Sequence, residues 1–343
     1  MRILVTGGAG YVGSHAIRSL ARHGHHVTVY DNLSTGYRFL ADGFELIVGE
    51  LDDATLLSRA LSNVELVMHF AGSAYVGESV QNPRKYFHNN GQNGLALVNA
   101  AIDAGVRHFI FSSSCAVYGT PETVPITEET PCQPVSPYGE TKLFLERVLD
   151  AYSRAYDLRA VALRYFNAAG ADESGEIGEM HHPETHLIPL ALEAAAGLRP
   201  RLEVFGNDYP TFDGTCIRDY IHVTDLGEAH ALAAEFLQSP IGGAFTVLNL
   251  GTGGGHSVQQ VVTAVENVSG HSVPLRITAR RAGDPPSLVA DPTRAQQRLG
   301  WTANRSLEDI VSSAWKWLNS SKRQRVSVGA ASIGDEHAPG LLR

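Results

Sequence analysis

Tyr138 and Lys142 stand four residues apart in the stretch SPYGETKLFLERV, residues 136–148. If that stretch is helical, a phenol and an ammonium lie on one face, one turn apart. A helix is well signalled, because Ser136 can cap it, Pro137 has the preset φ of a first helical position and Glu140 suits the positive end of the dipole. Upstream, FSSSCAVYG ends a strand-like run in the hydroxyls of Ser112, Ser113 and Ser114. A hydroxyl, a phenol and an ammonium that converge can move a proton on and off an alcohol. The ammonium would lower the phenol from its ordinary value of about 10, toward a general base at neutral pH. Alone, the Tyr-x-x-x-Lys spacing also describes a surface aromatic beside a solvated charge, so its weight rests on the elements around it.

The first of these is the opening VTGGAGYVGSHAIRSL, which follows a strand and leads into an amphipathic helix. Gly7 permits a tight turn, Gly10 lets the backbone approach a pyrophosphate and Gly13 permits close packing, while the helix N-terminus supplies oriented N–H groups. Asp31 follows Gly13 by 18 residues at the end of the next strand run, the spacing of an acid that binds a ribose 2′-hydroxyl. An acid there favours NAD over NADP, and bound NAD⁺ would add a second positive charge near the phenol. A second glycine run, NLGTGGGHSVQQVV (249–262), has no acid-tipped strand after it and reads as a tight turn capped by Ser257.

Six β-rich runs alternate with helical segments over residues 1–170: RILVTG, HVTVYDN, FELIVGE, ELVMHFAG, HFIFSSS and RAVALRYFN. That is the pattern of an α/β fold, a doubly wound parallel sheet of Rossmann type. A polar loop from residue 168 breaks the pattern, and 171–320 reads as a smaller C-terminal α/β lobe at the sheet's C-terminal edge, with some exchange of strands and helices between the two. Residues 321–343 lack periodicity and read as a disordered tail.

The chain has 343 residues with 43% hydrophobic content, enough for a large core, and its net charge of −9 argues against a non-specific grip on nucleic acid or acidic membranes. Three cysteines without Cys-x-x-Cys spacing indicate neither a disulfide framework nor a zinc site. The opening lacks a signal-peptide pattern and no apolar run could span a bilayer, so a cytoplasmic protein is expected. His181, His182 and His186 invite a metal reading, but Pro183 breaks any helix that would align them, and no acid or cysteine is spaced as a further ligand, so no metal is expected.

These residues resemble those of the extended short-chain dehydrogenase/reductase family. With DNLSTG, HFAGSAYVGESV, LRYFNAAGA, FGNDYPTFDGTCIRDYIHVTDL and RRAGD, the series over residues 1–318 is similar to the UDP-glucose 4-epimerases of that family. The resemblance implies an isomerase with tightly bound NAD that interconverts UDP-glucose and UDP-galactose: C4 is oxidised, the keto sugar turns over, and its other face is reduced. It makes Tyr138 the proton acceptor, Ser114 its neighbour at the C4 oxygen, and Lys142 the residue that holds the ribose and tunes the phenol. It places NAD against Gly7, Gly10, Tyr11, Val12 and Gly13, the segment Asp31, Asn32, Leu33, Ser34, Thr35 and Gly36, then Glu50, Leu51, Phe70, Ala71, Gly72, Ser73, Ala74, Asn89 and Phe166, besides Ser114, Tyr138 and Lys142. It places the UDP-sugar against Asn167, His186, Leu187, Glu203, Val204, Phe205, Arg218, Arg281, Asp284 and Leu288, again with Ser114 and Tyr138. The arginines make physical sense, since two phosphates in a buried groove call for guanidinium partners. The helices over LALVNAAIDAG and LFLERVLDAY pair across a dimer in similar proteins, which implies a homodimer.

Some positions depart from the pattern. Glu50 stands where many relatives have aspartate, Ala74 where some have lysine, and His186 where some have asparagine. SAYVGES is closer to the version in UDP-pentose epimerases, and Leu288 occupies a position whose bulk helps decide whether N-acetylated sugars fit. The alternatives are therefore 4-epimerisation of UDP-xylose or UDP-arabinose, UDP-glucuronate or UDP-N-acetylglucosamine, or a catalytically silent nucleotide-sugar sensor. A 4,6-dehydration is disfavoured, because Cys115 and Ala116 follow Ser114 where that reaction needs an acid pair to protonate the leaving hydroxyl and take the C5 proton.

Overall fold

The computed structural model describes residues 1–239, 243–281 and 283–323. The six runs form β1 (Arg2–Thr6), β2 (His26–Asp31), β3 (Glu45–Val48), β4 (Leu66–His69), β5 (His108–Ser114) and β6 (Arg159–Tyr165). Between them lie α1 (Tyr11–Arg22), α2 (Ala54–Ala60), α3 (Val76–Gln81), α4 (Pro83–Tyr86), α5 (Asn93–Asp103) and α6 (Pro137–Ala155). The remainder carries β7 (Asn167–Ala169), α7 (Leu187–Ala195), β8 (Leu202–Phe205), β9 (Ile217–Arg218), β10 (Tyr220–His222), α8 (Val223–Gln238), β11 (Phe245–Leu250), β12 (His256–Ser257), α9 (Val258–Ser269), β13 (Leu275–Thr278), β14 (Ser287–Leu288), α10 (Thr293–Leu299) and α11 (Leu307–Leu318).

The main sheet runs β11-β6-β5-β4-β1-β2-β3, parallel throughout. Its seventh strand, β11, returns from the second half of the chain to pair with β6, and the six-run count does not include it. Strand order reverses between β1 and β4, which opens a crevice at the carboxyl ends where sheets of this kind bind ligands. Both faces are covered: Ile3 and Val5 of β1 enter one core with α1 and α8, and Leu4 between them enters the other with α5 and α6. A third core, among α7, α9, α11 and β8, holds the smaller lobe together. No helix among the described residues is long and apolar enough to cross a membrane. Of the expected tail, residues 321–323 are described, with Lys322 reaching Glu176 at 3.0 Å; the rest lies outside the described residues.

Helix α6 starts as its sequence dictates. Ser136 Oγ accepts from the Gly139 N–H at 3.2 Å, Pro137 opens the first turn, and Glu140 follows it. Gly139 is required by packing, since a Cβ there would lie 2.6 Å from the Ala116 carbonyl oxygen. The helix is then fastened to the sheet by polar groups. Glu146 accepts from Arg164 of β6 through both oxygens, at 2.9 and 2.5 Å, and from the Ser113 hydroxyl of β5 at 2.5 Å. Arg164 also donates to the Tyr118 hydroxyl at 2.9 Å, and Tyr118 donates to Asn249 of β11 at 2.7 Å. The Arg164–Glu146 pair is almost free of solvent, with side-chain exposures of 6% and 3%. Removing one member of such a pair strands the other charge, so Glu146→Gln or Arg164→Met alone should each cost about 3–5 kcal/mol. Equilibrium urea unfolding should show the double variant losing clearly less than the sum of the two; additive losses would mean that the pair is not coupled.

Candidate active site

Strand β5 ends in three serines with three different partners. Ser112 shares a 2.5 Å hydrogen bond with the Tyr165 hydroxyl, Ser113 meets Glu146, and Ser114 hydrogen-bonds Tyr138. Tyr138 lies in the first turn of α6 and Lys142 one turn later, both below a tenth exposed. The Lys142 ammonium donates to the Ser112 carbonyl oxygen at 2.8 Å and lies 5.0 Å from the Phe111 ring centre and 5.6 Å from that of Tyr138. Hydroxyl, phenol and ammonium therefore do converge.

The electrostatics differ from the simple expectation. Burial pushes the Tyr138 phenol well above its ordinary value, nearby Tyr165 pushes it further, and only the Ser114 hydrogen bond pulls it down. Burial also lowers the Lys142 ammonium to about 8, with Glu146 opposing. In the protein alone, desolvation outweighs the pull that the ammonium was expected to exert on the phenol. A positive charge that enters beside such a group lowers its pKa back toward the ordinary range.

The glycine loop fits a dinucleotide. A Cβ on Gly7 would fall 2.5 Å from the Ala71 nitrogen, one on Gly13 would fall 2.2 Å from the Gly7 carbonyl oxygen, and Gly7 has φ of +75°. Gly10 caps α1 with no side chain over it, and no acid stands in the first turn, so the N–H groups at Tyr11 and Val12 face an open, positive helix end. Asp31, at the tip of β2, accepts from the Ala9 N–H at 3.0 Å and the Leu33 N–H at 2.8 Å, which fixes its carboxylate beside that loop. Leu33 takes a left-handed φ of 58°, a strained conformation held where the segment wraps the loop, and a Cβ on Gly36 would fall 2.9 Å from the Ala9 carbonyl oxygen. Asn32 holds Glu50 through 3.1 and 3.0 Å hydrogen bonds, and Ser34 turns back onto Asn32. Across the crevice, Asn90 accepts from the Ser73 N–H at 2.8 Å and Asn89 donates to the Ser73 hydroxyl at 3.0 Å, which shapes the Phe70–Ala74 edge. Phe166 is buried at the end of β6.

The expected UDP contacts gather on the smaller lobe. Leu288 and Arg218 are partners in the β14–β9 register, and Arg218 lies 3.5 Å from Asp284 and close enough to Cys115 for its charge to reach the active strand. The Arg281 guanidinium stacks 3.8 Å over the Phe205 ring, and Asn167 donates to the Asp219 carbonyl at 3.1 Å. Leu187 opens α7. Other members point elsewhere. The side chains of Leu51 and Val204 belong to the packed cores, and Glu203 pairs with Arg201 and Arg276. His186 pairs with Glu179 and Glu184 at 2.8 and 2.9 Å, not with a free polar cleft.

That pairing corrects the view that the histidines lack acid partners. Glu179 and Glu184 join His181 and His186, and His182 is outside the group. The run EMHHPETH folds as a loop, so alignment comes from the chain's return and not from helical spacing. Sequence reasoning also passed over Glu146, Arg164 and Tyr165. Glu146 was within reach, four residues beyond Lys142 on the same face; Arg164 and Tyr165 declare themselves only through the β5–β6 register, Ser113 opposite Arg164 and Ser114 opposite Tyr165.

Comparison with known proteins shows the family. The UDP-glucose 4-epimerase of Rhizobium leguminosarum bv. trifolii is 46% identical over 317 residues, covering 92% of this chain and 96% of the relative. The Brucella ovis UDP-glucose 4-epimerase, solved in complex with NAD, superposes with a TM-score of 0.89 at 49% identity, over 92% of this chain and 97% of that one. The Stenotrophomonas maltophila UDP-glucose-4-epimerase, solved with NAD and formylated UDP-arabinopyranose, gives 0.90 at 40% identity, over 96% and 99%. The sequence model of the NAD dependent epimerase/dehydratase family matches residues 3–251, and the chain belongs to that family.

Proposed function

We propose that this chain is an NAD-dependent isomerase that interconverts UDP-glucose and UDP-galactose at C4 of the sugar. The observation that carries this reading is the buried Ser114–Tyr138–Lys142 group at the end of β5, on the same carboxyl-end edge of the sheet as the glycine loop after β1 and Asp31 at the tip of β2, in a chain of this family. NAD, when bound, supplies a hydride acceptor that later returns the hydride to the same carbon. The protein's residues manage the proton and the geometry. Tyr138 takes the C4 hydroxyl proton and gives it back, Ser114 orients the oxygen and the phenol, and Lys142 holds positive charge beside both. Gly7, Gly10 and Gly13 admit the pyrophosphate, and Asp31 receives a ribose hydroxyl.

The sugar must present both faces to one hydride position, so firm contacts belong on the nucleotide. Arg218 and Arg281 neutralise the two phosphates, Phe205 and Leu187 flank the nucleotide, and the hexose is held loosely. We assign residues 1–170 to the dinucleotide and 171–320 to the UDP-sugar, with β11 as the strand exchanged between them. Three unbridged cysteines support a cytoplasmic setting. A second copy belongs on the face of α5 and α6, where Phe144 of α6, 41% exposed, Leu95 of α5 and Phe87, 50% exposed in the segment leading into α5, line a groove of about 470 Å³.

Proton NMR of UDP-galactose with purified protein should show UDP-glucose forming. Tyr138→Phe should lower kcat by about 10²–10⁴-fold with little change in UDP affinity, and turnover at the wild-type rate would remove the phenol from the mechanism. For the pairing, sedimentation should give a dimer that Phe144→Glu converts to monomer; an unchanged mass would exclude that face.

A further inference from the structure

The loop between β7 and α7 gathers a donor set that the proposed reaction does not use. Glu179, His181, Glu184 and His186 each offer one nitrogen or oxygen, and the four atoms lie within 4.8 Å of one another. His181 Nδ1 is 3.0 Å from Glu179 and 3.8 Å from Glu184, and His186 Nδ1 is 2.8 and 2.9 Å from the same two. The carboxylates are the enclosed members, with side-chain exposures of 6% and 9%. The Tyr11 and Tyr75 rings wall the group, their centres 6.1 and 5.8 Å from that of His181.

Two imidazoles and two carboxylates form a nitrogen–oxygen set suited to zinc, and ligands about 2.0–2.1 Å from a tetrahedral ion stand about 3.4 Å apart. The four His–Glu separations bracket that value and all four donor atoms lie within 4.8 Å of one another, so small side-chain rotations would close the set on an ion. The two carboxylates, held away from water, are met by the two histidines, and one divalent cation would supply the same compensating charge at a single point.

We propose that Glu179, His181, Glu184 and His186 bind one zinc ion. With all four positions taken by protein, the ion has no place for substrate and is structural. It fixes a loop that lacks regular structure against Tyr11, the first residue of α1, and against Tyr75. It also sets the start of α7, where Leu187 follows His186 directly. The ion thereby ties the nucleotide lobe to the dinucleotide end of the sheet.

The test uses the full chain, stripped with chelator, reloaded with zinc and desalted. Plasma mass spectrometry should find about one zinc per chain, zinc should raise the thermal transition, and cobalt(II) in its place should give the intense visible bands of a tetrahedral site. His181→Ala/Glu184→Gln should lose the zinc, the thermal response and the cobalt bands. Wild-type protein that retains no zinc, or a double variant that retains as much as wild type, overturns the proposal. Should the double variant not fold, the wild-type cobalt spectrum decides: only weak octahedral bands, or none, would refute the site.

Discussion

Lys142 carries its charge to a place water does not reach, where an ion costs several kcal/mol unless something meets it. What meets it is specific: the Ser112 carbonyl at 2.8 Å, the Phe111 ring at 5.0 Å, and Glu146 one turn along the same helix. Glu146 in turn is held by Arg164 and Ser113, and Arg164 by Tyr118, which reaches Asn249 on β11. The ammonium can stay buried only while β5, β6, β11 and α6 keep their register. The same network that makes the charge tolerable aims Tyr138 at the end of β5.

This explains the division between the two halves of the site. At the dinucleotide end, recognition is built from backbone: glycines with no room for a Cβ, an uncapped helix start, and a carboxylate fixed by two N–H groups. Such groups cannot swing away, which suits a cofactor that remains through turnover. At the other end, the proposed contacts are long side chains, with Arg218 of β9 beside Asp284 and Arg281, in the segment between β13 and β14, over Phe205. Those can close on a ligand that comes and goes, and they leave the sugar position without a rigid clamp.

Much of this is written locally in the chain. Ser136, Pro137 and Glu140 announce α6, the glycine spacing announces the turn into α1, Asp31 marks the tip of β2, and Ser257 caps α9 as its turn suggests, in a capping box with Gln260. Each depends on neighbours a few residues away. What was not legible depends on distant ones. FTVLNL looks like any strand of the smaller lobe until it pairs with β6, and Arg164 looks like a surface charge in a strand until Glu146 lies over it. The histidines of the long loop fail every helical spacing because a loop, not a helix, brings Glu179 and Glu184 to them. The phenol's electrostatics were likewise beyond sequence, since spacing reveals the ammonium but not how much water has left.

Burial keeps the Tyr138 phenol protonated, despite the Lys142 ammonium, until the second positive charge of NAD⁺ lowers its pKa. Ultraviolet difference titration of wild type against Tyr138→Phe, in protein stripped of NAD and again after reloading with NAD⁺, measures this directly. The account predicts a phenol that ionises above the ordinary tyrosine range in the stripped protein and at lower pH in the loaded one. A phenolate already present at neutral pH without NAD⁺, or a titration that loading leaves in place, would contradict it.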